Sequence, residues 1–253
     1  MFNFKKKYGQ NFLTDKNLLN AIVGDAEVAK DDFVVEIGAG AGALTSVLSE
    51  CAKKVVAFEI DKDLEETLNA LNLKNVTFRF EDFMKVDLKE FKESFKVVAN
   101  LPYYITTPII FKLLEETDNL ISLTVMVQKE VAERMVADTS GDYGVLSVML
   151  AFYGEAKINR IVKRNMFYPE PNVDSAVVTL KIEKKYDIDK IAFSKFVKTA
   201  FSMRRKTLFN NLSTIYSKDL LKQTFTEDFL KRRAETLTVD EFVEAYKKIS
   251  TVG

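Results

Sequence analysis

Histidine and tryptophan are absent from this chain of 253 residues, and cysteine occurs once, at Cys51. Without histidine, His-dependent catalytic triads and most catalytic zinc sites are excluded. A single cysteine forms no intramolecular disulfide, and a cysteine-based zinc site lacks ligands, so no metal is expected. No apolar run is long enough to span a bilayer. The opening Met1-Phe2-Asn3-Phe4-Lys5-Lys6-Lys7 has no apolar segment after its lysines. It therefore does not read as a secretory signal, and a cytoplasmic protein is expected.

What is present fits a globular chain: 47% of residues are hydrophobic and 29% charged, which argues against disorder. The length suits one large α/β domain plus a small second one, with nothing demanding more than a monomer. Formal net charge is zero, yet it is unevenly spread. Residues 181–253 hold 16 Lys and Arg against 10 Asp and Glu, leaving 21 basic and 27 acidic groups in the first 180. Such asymmetry hints at a polyanion held mainly by the C-terminal part, although a surplus of this size also suits a solvated helix surface.

The first buried strand is expected at Phe33-Val34-Val35-Glu36-Ile37, from its β-branched content. Gly38-Ala39-Gly40-Ala41-Gly42 follows, and a helix opens near Ala43. Strand, glycine turn and helix make a nucleotide-type loop, in which the backbone approaches a ligand closely and N–H groups at the helix start face it. A second strand, Lys54 to Phe58, runs into Glu59, 21 residues past Gly38. An acid at that distance accepts both hydroxyls of a ribose. The glycine spacing is G-x-G-x-G and not the dinucleotide G-x-G-x-x-G. That spacing points to S-adenosylmethionine, which has a ribose and an adenine but no pyrophosphate to cradle, and disfavours a nicotinamide dehydrogenase. A third strand, Val76 to Phe80, ends in Glu81-Asp82-Phe83, where Asp82 is placed to bind an adenine amino group with Phe83 beside the ring.

A fourth apolar run, Phe95 to Ala99, leads into Asn100-Leu101-Pro102-Tyr103-Tyr104 and a helix from Thr106. Open α/β sheets place ligands at such carboxyl ends of strands. Pro102 has no N–H to pair, Asn100 offers a side-chain carbonyl as acceptor, and Tyr103 offers a face on which a base stacks. The combination suits methylation of a nucleobase amine. That nitrogen is planar and a poor nucleophile until two acceptors, the Asn100 side chain and a nearby backbone carbonyl, hold its N–H groups out of plane. Taken alone, the same residues also suit an ordinary turn with packing tyrosines. Gly38, Glu59, Asp82 and Asn100 at four successive strand ends tip the balance towards a site.

Further along, the pattern predicts a strand over 122–127, helices over 129–137 and 143–152, and strands over 156–162 and 175–184. Between the last two lies Met166-Phe167-Tyr168-Pro169-Glu170-Pro171-Asn172, a proline-stiffened loop. Phe167 there either closes on a base opposite Tyr103 or packs under the loop. The N-terminal segment from Lys5 to Asn20 reads as a lead-in or as a flap over a ligand. Beyond Lys184 only helical spacing remains, over 193–203, 206–215, 227–233 and 239–249. Two domains are expected, 1–184 catalytic and 185–253 helical. Arg204-Arg205-Lys206, expected to open a helix, and the N-terminal Lys5, Lys6 and Lys7 are candidate phosphate contacts.

In this order, several segments together resemble the ribosomal RNA adenine dimethyltransferases of the KsgA type over nearly the whole length. They are Gly9-Gln10-Asn11-Phe12-Leu13, Glu36 to Gly42, Glu59, Glu81-Asp82, Asn100 to Tyr103, Val127-Gln128-Lys129-Glu130, Phe167 to Ser175, Arg204 to Leu208 and Arg233 to Leu237. The resemblance implies a Rossmann-like S-adenosylmethionine-dependent fold with a small helical domain. It implies cofactor contacts from Asn11, Leu13, Gly38, Glu59, Asp82 and Asn100, and base handling by Asn100, Tyr103 and Phe167. It further implies dimethylation of two adjacent adenines near the 3′ end of small-subunit rRNA, on the immature 30S subunit. Ala39 and Ala41 depart from the proline and leucine that many relatives carry there; both are small and leave the backbone path open. An Erm-type enzyme acting on large-subunit rRNA is the nearest alternative, disfavoured by Leu101 in place of isoleucine and by the Phe167–Ser175 block. A non-catalytic RNA-binding assembly or transcription factor on the same fold is the other.

Overall fold

The computed structural model describes residues 12–139 and 142–252. The described residues fold into two compact units, one within 1–132 and 156–182 and one within 133–155 and 183–253. The 1–184 and 185–253 division expected from sequence differs from this chiefly at 133–155, whose helix packs with C-terminal helices.

The first unit begins with β1 (Phe12–Leu13) and α1 (Lys16–Asp25), then β2 (Phe33–Ile37), α2 (Ala43–Cys51), β3 (Lys54–Phe58), α3 (Glu65–Asn69), β4 (Val76–Arg79), β5 (Phe95–Asn100), α4 (Thr106–Glu116) and β6 (Leu120–Gln128). After α5 (Lys129–Met135) and α6 (Val145–Tyr153) come β7 (Gly154–Val162), β8 (Phe167–Tyr168) and β9 (Ser175–Ile182). Seven strands form one sheet in the order β4-β3-β2-β5-β6-β9-β7, and β1 pairs with β8 separately. Strands β2 to β6 pair in parallel, whereas β9 runs antiparallel to β6. This is the Rossmann-like arrangement expected from the alternating pattern.

Every residue of β2 is buried, as befits a strand covered on both faces. Helix α1 starts where the Asp15 carboxylate accepts from the Leu18 N–H at 2.8 Å, and it buries Leu19, Ile22 and Val23 at helical spacing. Helix α2 repeats that stripe with Leu44, Val47 and Leu48. These join Val34, Val55, Ala57 and Val98 in one apolar cluster. Each such aliphatic side chain contributes roughly 1.5–3 kcal/mol on burial. The stripes hold the helices against the sheet and so fix the loops at its carboxyl edge.

The second unit holds α6 with α7 (Lys190–Ala200), α8 (Leu208–Leu212), α9 (Lys218–Thr224), α10 (Glu227–Lys231) and α11 (Val239–Ser250). Phe193 packs between Phe152 of α6 at 4.5 Å and Tyr246 of α11 at 5.7 Å, centroid to centroid. Thr238 and Glu241 close a capping box at the start of α11. Helix α9 was not expected from the sequence. Arg204-Arg205-Lys206 precedes α8 and does not open it: the helix begins one residue after Thr207, whose hydroxyl accepts from the Asn210 N–H. Among the described residues, no helix is long and apolar enough to cross a membrane.

Candidate active site

Strands β2 and β5 lie side by side although β3 and β4 intervene in sequence. The loops leaving their carboxyl ends therefore diverge and open a crevice, the usual ligand position in open α/β sheets. A cavity occupies it, lined among others by Leu13, Gly38, Glu59, Asp82, Asn100 and Tyr103. Gly38, at the end of β2, has φ +82°, a left-handed conformation that L side chains rarely adopt. A Cβ there would sit 3.6 Å from the Asn100 carbonyl oxygen, a measure of how closely the two strand ends approach.

The glycine loop is tied to β3. The N–H groups of Gly38 and Ala39 both donate to the Phe58 carbonyl, at 2.8 and 3.0 Å. The Gly40 N–H donates to Glu59 Oε2 at 2.8 Å, and the Asp61 N–H to Glu59 Oε1 at 2.8 Å. Three loop amides thus hold the neighbouring strand and the acid that follows it; they are not the helix-start N–H groups expected to face a ligand. The Glu59 carboxylate is oriented by these bonds while each oxygen keeps a second lone pair. Two further donors, such as a pair of ribose hydroxyls, then complete the group. Burial raises its pKa, and the bonds from Asp61 and Gly40 oppose that rise.

Behind the loop lies Glu36, 1% exposed and also on the cavity wall. Burial, reinforced by the nearby Glu59 charge, pushes its carboxyl up to about 8. The Thr45 hydroxyl favours the ionised form, but neither it nor Glu36 Oε2 completes a hydrogen bond of acceptable geometry among the described residues. Asp82 stands at the end of the β4 segment, where one carboxylate oxygen accepts from the Met84 N–H at 2.9 Å. Ile60, Phe83 and Met84 give the cavity an apolar wall beside it. Phe83 itself is buried, edge-on to Phe58 at 5.1 Å.

Asn100 is the last residue of β5, with Met126 opposite on β6. The ladder closes one residue later with Leu101 N–H to Met126 O at 3.2 Å. The Pro102 carbonyl turns into the start of α4 and accepts from Ile105 N–H and the Thr106 hydroxyl. Tyr103, half-buried, lies 2.6 Å through its hydroxyl from the Ser175 hydroxyl. Burial raises the pKa of the phenol.

Leu13, Gly38, Glu59, Asp82, Asn100 and Tyr103 thus share one cavity. Phe167 does not line it. It pairs with Leu13 through the β1–β8 ladder and is 5% exposed within the apolar cluster, the packing alternative read from the sequence. Asn11 and Lys5, Lys6 and Lys7 lie outside the described residues. Arg204, Arg205 and Lys206 are exposed in the second unit. Sequence reading gave Glu36 no role, nor Leu19, Ile22 and Ile60, which also line the cavity; the acid one position before the last residue of β2 was the available signal.

Comparison with known proteins points to one family. A family model described as ribosomal RNA adenine dimethylase matches residues 1–251. A protein of Fusobacterium nucleatum named ribosomal RNA small subunit methyltransferase A is 44% identical, over 97% of each chain. One of the same name from Clostridium acetobutylicum is 46% identical over 95% of this chain and 92% of its own. Among solved structures, a dimethyladenosine transferase from Plasmodium falciparum superposes with a TM-score of 0.80 at 25% identity, covering 95% of this chain and 98% of its own. The 23S rRNA methyltransferase ErmE does so at 0.71 and 25%, covering 95% and 100%. With the model matching almost every residue and the curated relatives spanning both chains, this protein belongs to the ribosomal RNA adenine dimethylase family.

Proposed function

We propose that this enzyme transfers methyl groups from S-adenosylmethionine to the exocyclic amines of two adjacent adenines near the 3′ end of small-subunit rRNA, giving N6,N6-dimethyladenines on the immature 30S subunit in the cytoplasm. The observation that carries the reading is the convergence of Glu59, Asp82 and Asn100 on one cavity at the β2–β5 switch point. The donor fits the residues present. Glu59 keeps one lone pair on each oxygen for a ribose, the Asp82 carboxylate stands beside an apolar wall suited to a purine, and the loop amides that a pyrophosphate would need are held by β3. Bound there, the donor supplies an electrophilic methyl group on a sulfonium.

The remaining work belongs to the chain. A target adenine leaves its stack and rests on the Tyr103 ring. The Asn100 side-chain oxygen and a nearby backbone carbonyl accept its two N–H groups and expose the nitrogen lone pair. No general base is needed, because the methylated amine is acidic enough to lose its proton to solvent. Alignment of nucleophile and methyl supplies most of the rate. Phe167 becomes a second face for the base only if it leaves the apolar cluster. Arg204, Arg205 and Lys206, with Lys5, Lys6 and Lys7, bind the RNA backbone through counterion release, the second unit serving as the RNA-binding domain of a monomer.

The test is transfer of labelled methyl groups to ribosomal subunits from cells lacking the protein. Label in adenines of the immature small subunit is expected, and Asn100→Ala should abolish it while the donor still binds. Label in the large subunit would support the Erm-type activity instead, and no label in either a non-catalytic assembly factor.

A further inference from the structure

The Asn100–Tyr104 loop carries the base-handling groups, yet it lies outside the sheet ladder after Leu101, so something else must hold the Tyr103 ring. From the hydrogen-bond geometry we infer that Ser175 is a positioning residue for methyl transfer, fixing the Tyr103 ring as the floor on which the target base rests. This rests on the function proposed above. The two hydroxyls are 2.6 Å apart, and either one donates. Ser175 is fully buried and opens β9, with Gln128 of β6 opposite in the antiparallel ladder. Its backbone therefore belongs to an interior strand of the seven-stranded sheet. The bond fastens the tip of a loop side chain to a strand hydrogen-bonded within the central sheet.

A tyrosine ring turns about two side-chain torsions. The para oxygen lies on the axis of the second torsion, so a hydrogen bond there fixes the first torsion and with it the place of the ring in the cavity. Loss of it leaves the ring free to swing across the cavity or out towards solvent, and a displacement of about 1 Å at a reacting centre costs up to about a hundredfold in rate. The donor end of the cavity, at Glu59 and Asp82, has no part in this bond. Ser175 thus bears on the base subsite and leaves the donor subsite alone.

Four proteins are compared for labelled-methyl transfer, donor affinity by calorimetry and thermal midpoint: wild type, Ser175→Ala, Tyr103→Phe, and the double variant. Each single change removes one hydroxyl of the pair, so both should lower kcat by about tenfold or more with donor Kd within about twofold of wild type. Because they break the same bond, the double variant should be no slower than the worse single one. Ser175→Thr, which keeps a hydroxyl, should recover most of the rate. Ser175→Ala with wild-type kcat and KM would overturn the inference, as would rate losses that multiply in the double variant. Loss of rate in proportion to loss of donor affinity and folding would reduce Ser175 to a structural residue and overturn it equally. Wild-type protein that labels no small subunit would refute the proposed function itself, a separate outcome from a wild-type rate in the alanine variant.

Discussion

Replacing Glu36 by glutamine should make the protein more stable, and increasingly so as pH rises. The carboxyl is buried at the end of β2, with Glu59 rather than a cation as its charged neighbour, and it titrates at about 8 against 4.5 for an unhindered group. Between those values the unfolded chain has lost this proton and the folded chain keeps it. Stability falls with pH wherever the folded state binds more protons. The contribution is therefore complete below about pH 4.5 and lost as pH climbs through about 8. At about 1.4 kcal/mol per pH unit, the ceiling is roughly 5 kcal/mol, and relaxation around the carboxylate should leave about half of it. For a chain of this size, about 2–3 kcal/mol corresponds to a rise of roughly 5–10 °C in thermal midpoint.

Glutamine is nearly isosteric with the protonated acid, so the two proteins should match near pH 5 and diverge by about pH 8. Thermal denaturation of both across that range, cross-checked by urea titration, measures the difference directly. Other carboxylates titrate in both proteins and cancel on subtraction. Glu59 cancels incompletely, since losing a neighbouring charge lowers its own pKa, which enlarges the effect in the same direction. Parallel curves, with a difference independent of pH, would refute the reasoning, for they would mean that Glu36 ionises alike in folded and unfolded chains. A wild-type advantage growing with pH would refute it more sharply, by requiring a cation beside the carboxylate.

Asn100→Ala should lower kcat for methyl transfer by about a hundredfold or more, the usual loss when one preorganised polar group is removed from a reacting centre, with donor affinity reduced far less; comparable rates would remove Asn100 from the mechanism. Phe167→Ala should destabilise the first unit by about 3–5 kcal/mol, as expected for an aromatic deleted from a packed core. Phe167→Leu, which refills most of that volume, should cost under about 1.5 kcal/mol and retain most of the transfer rate; a stable but inactive leucine variant would show that the ring also grips the base. Replacing Arg204, Arg205 and Lys206 together by alanine should weaken rRNA binding and flatten its dependence on salt by up to about three phosphate contacts, read from binding isotherms at several salt concentrations; an unchanged slope would place the RNA elsewhere.

The parts of this fold that are legible in the sequence share one property: their signal is local. Strands β2 and β3 run from Phe33 to Ile37 and from Lys54 to Phe58, with the bounds their apolar runs suggest, because a parallel strand covered on both faces is a continuous hydrophobic stretch. The four polar strand ends follow from those bounds by counting. Where a signal is tertiary, the sequence is silent. Strands β1 and β8 are two residues each, too short for any periodicity, and they meet across a long chain separation. Nothing local could therefore tell that Phe167 is buried beside Leu13. Helix α9 carries only Leu220 and Leu221 as aliphatic residues in seven positions, so it shows no helical stripe. For Arg204-Arg205-Lys206 the competing signal was present and outweighed, since Thr207 is a better N-cap than any of the three.

The same contrast explains what the glycine loop leaves unsaid while pointing to the right ligand. From spacing alone, an early third glycine says that a pyrophosphate is not cradled in the usual way. It does not say what the loop amides do instead. In the structure Gly38 and Ala39 bond the Phe58 carbonyl and Gly40 bonds Glu59, so the loop spends its donors on orienting the acid that follows β3. A phosphate-binding loop offers N–H groups to an anion; this one places a carboxylate's remaining lone pairs in the cavity. The loop's donors thus serve a carboxylate of the fold itself in place of an incoming anion, and this follows from a register between β2 and β3 that pairs Ile37 with Phe58.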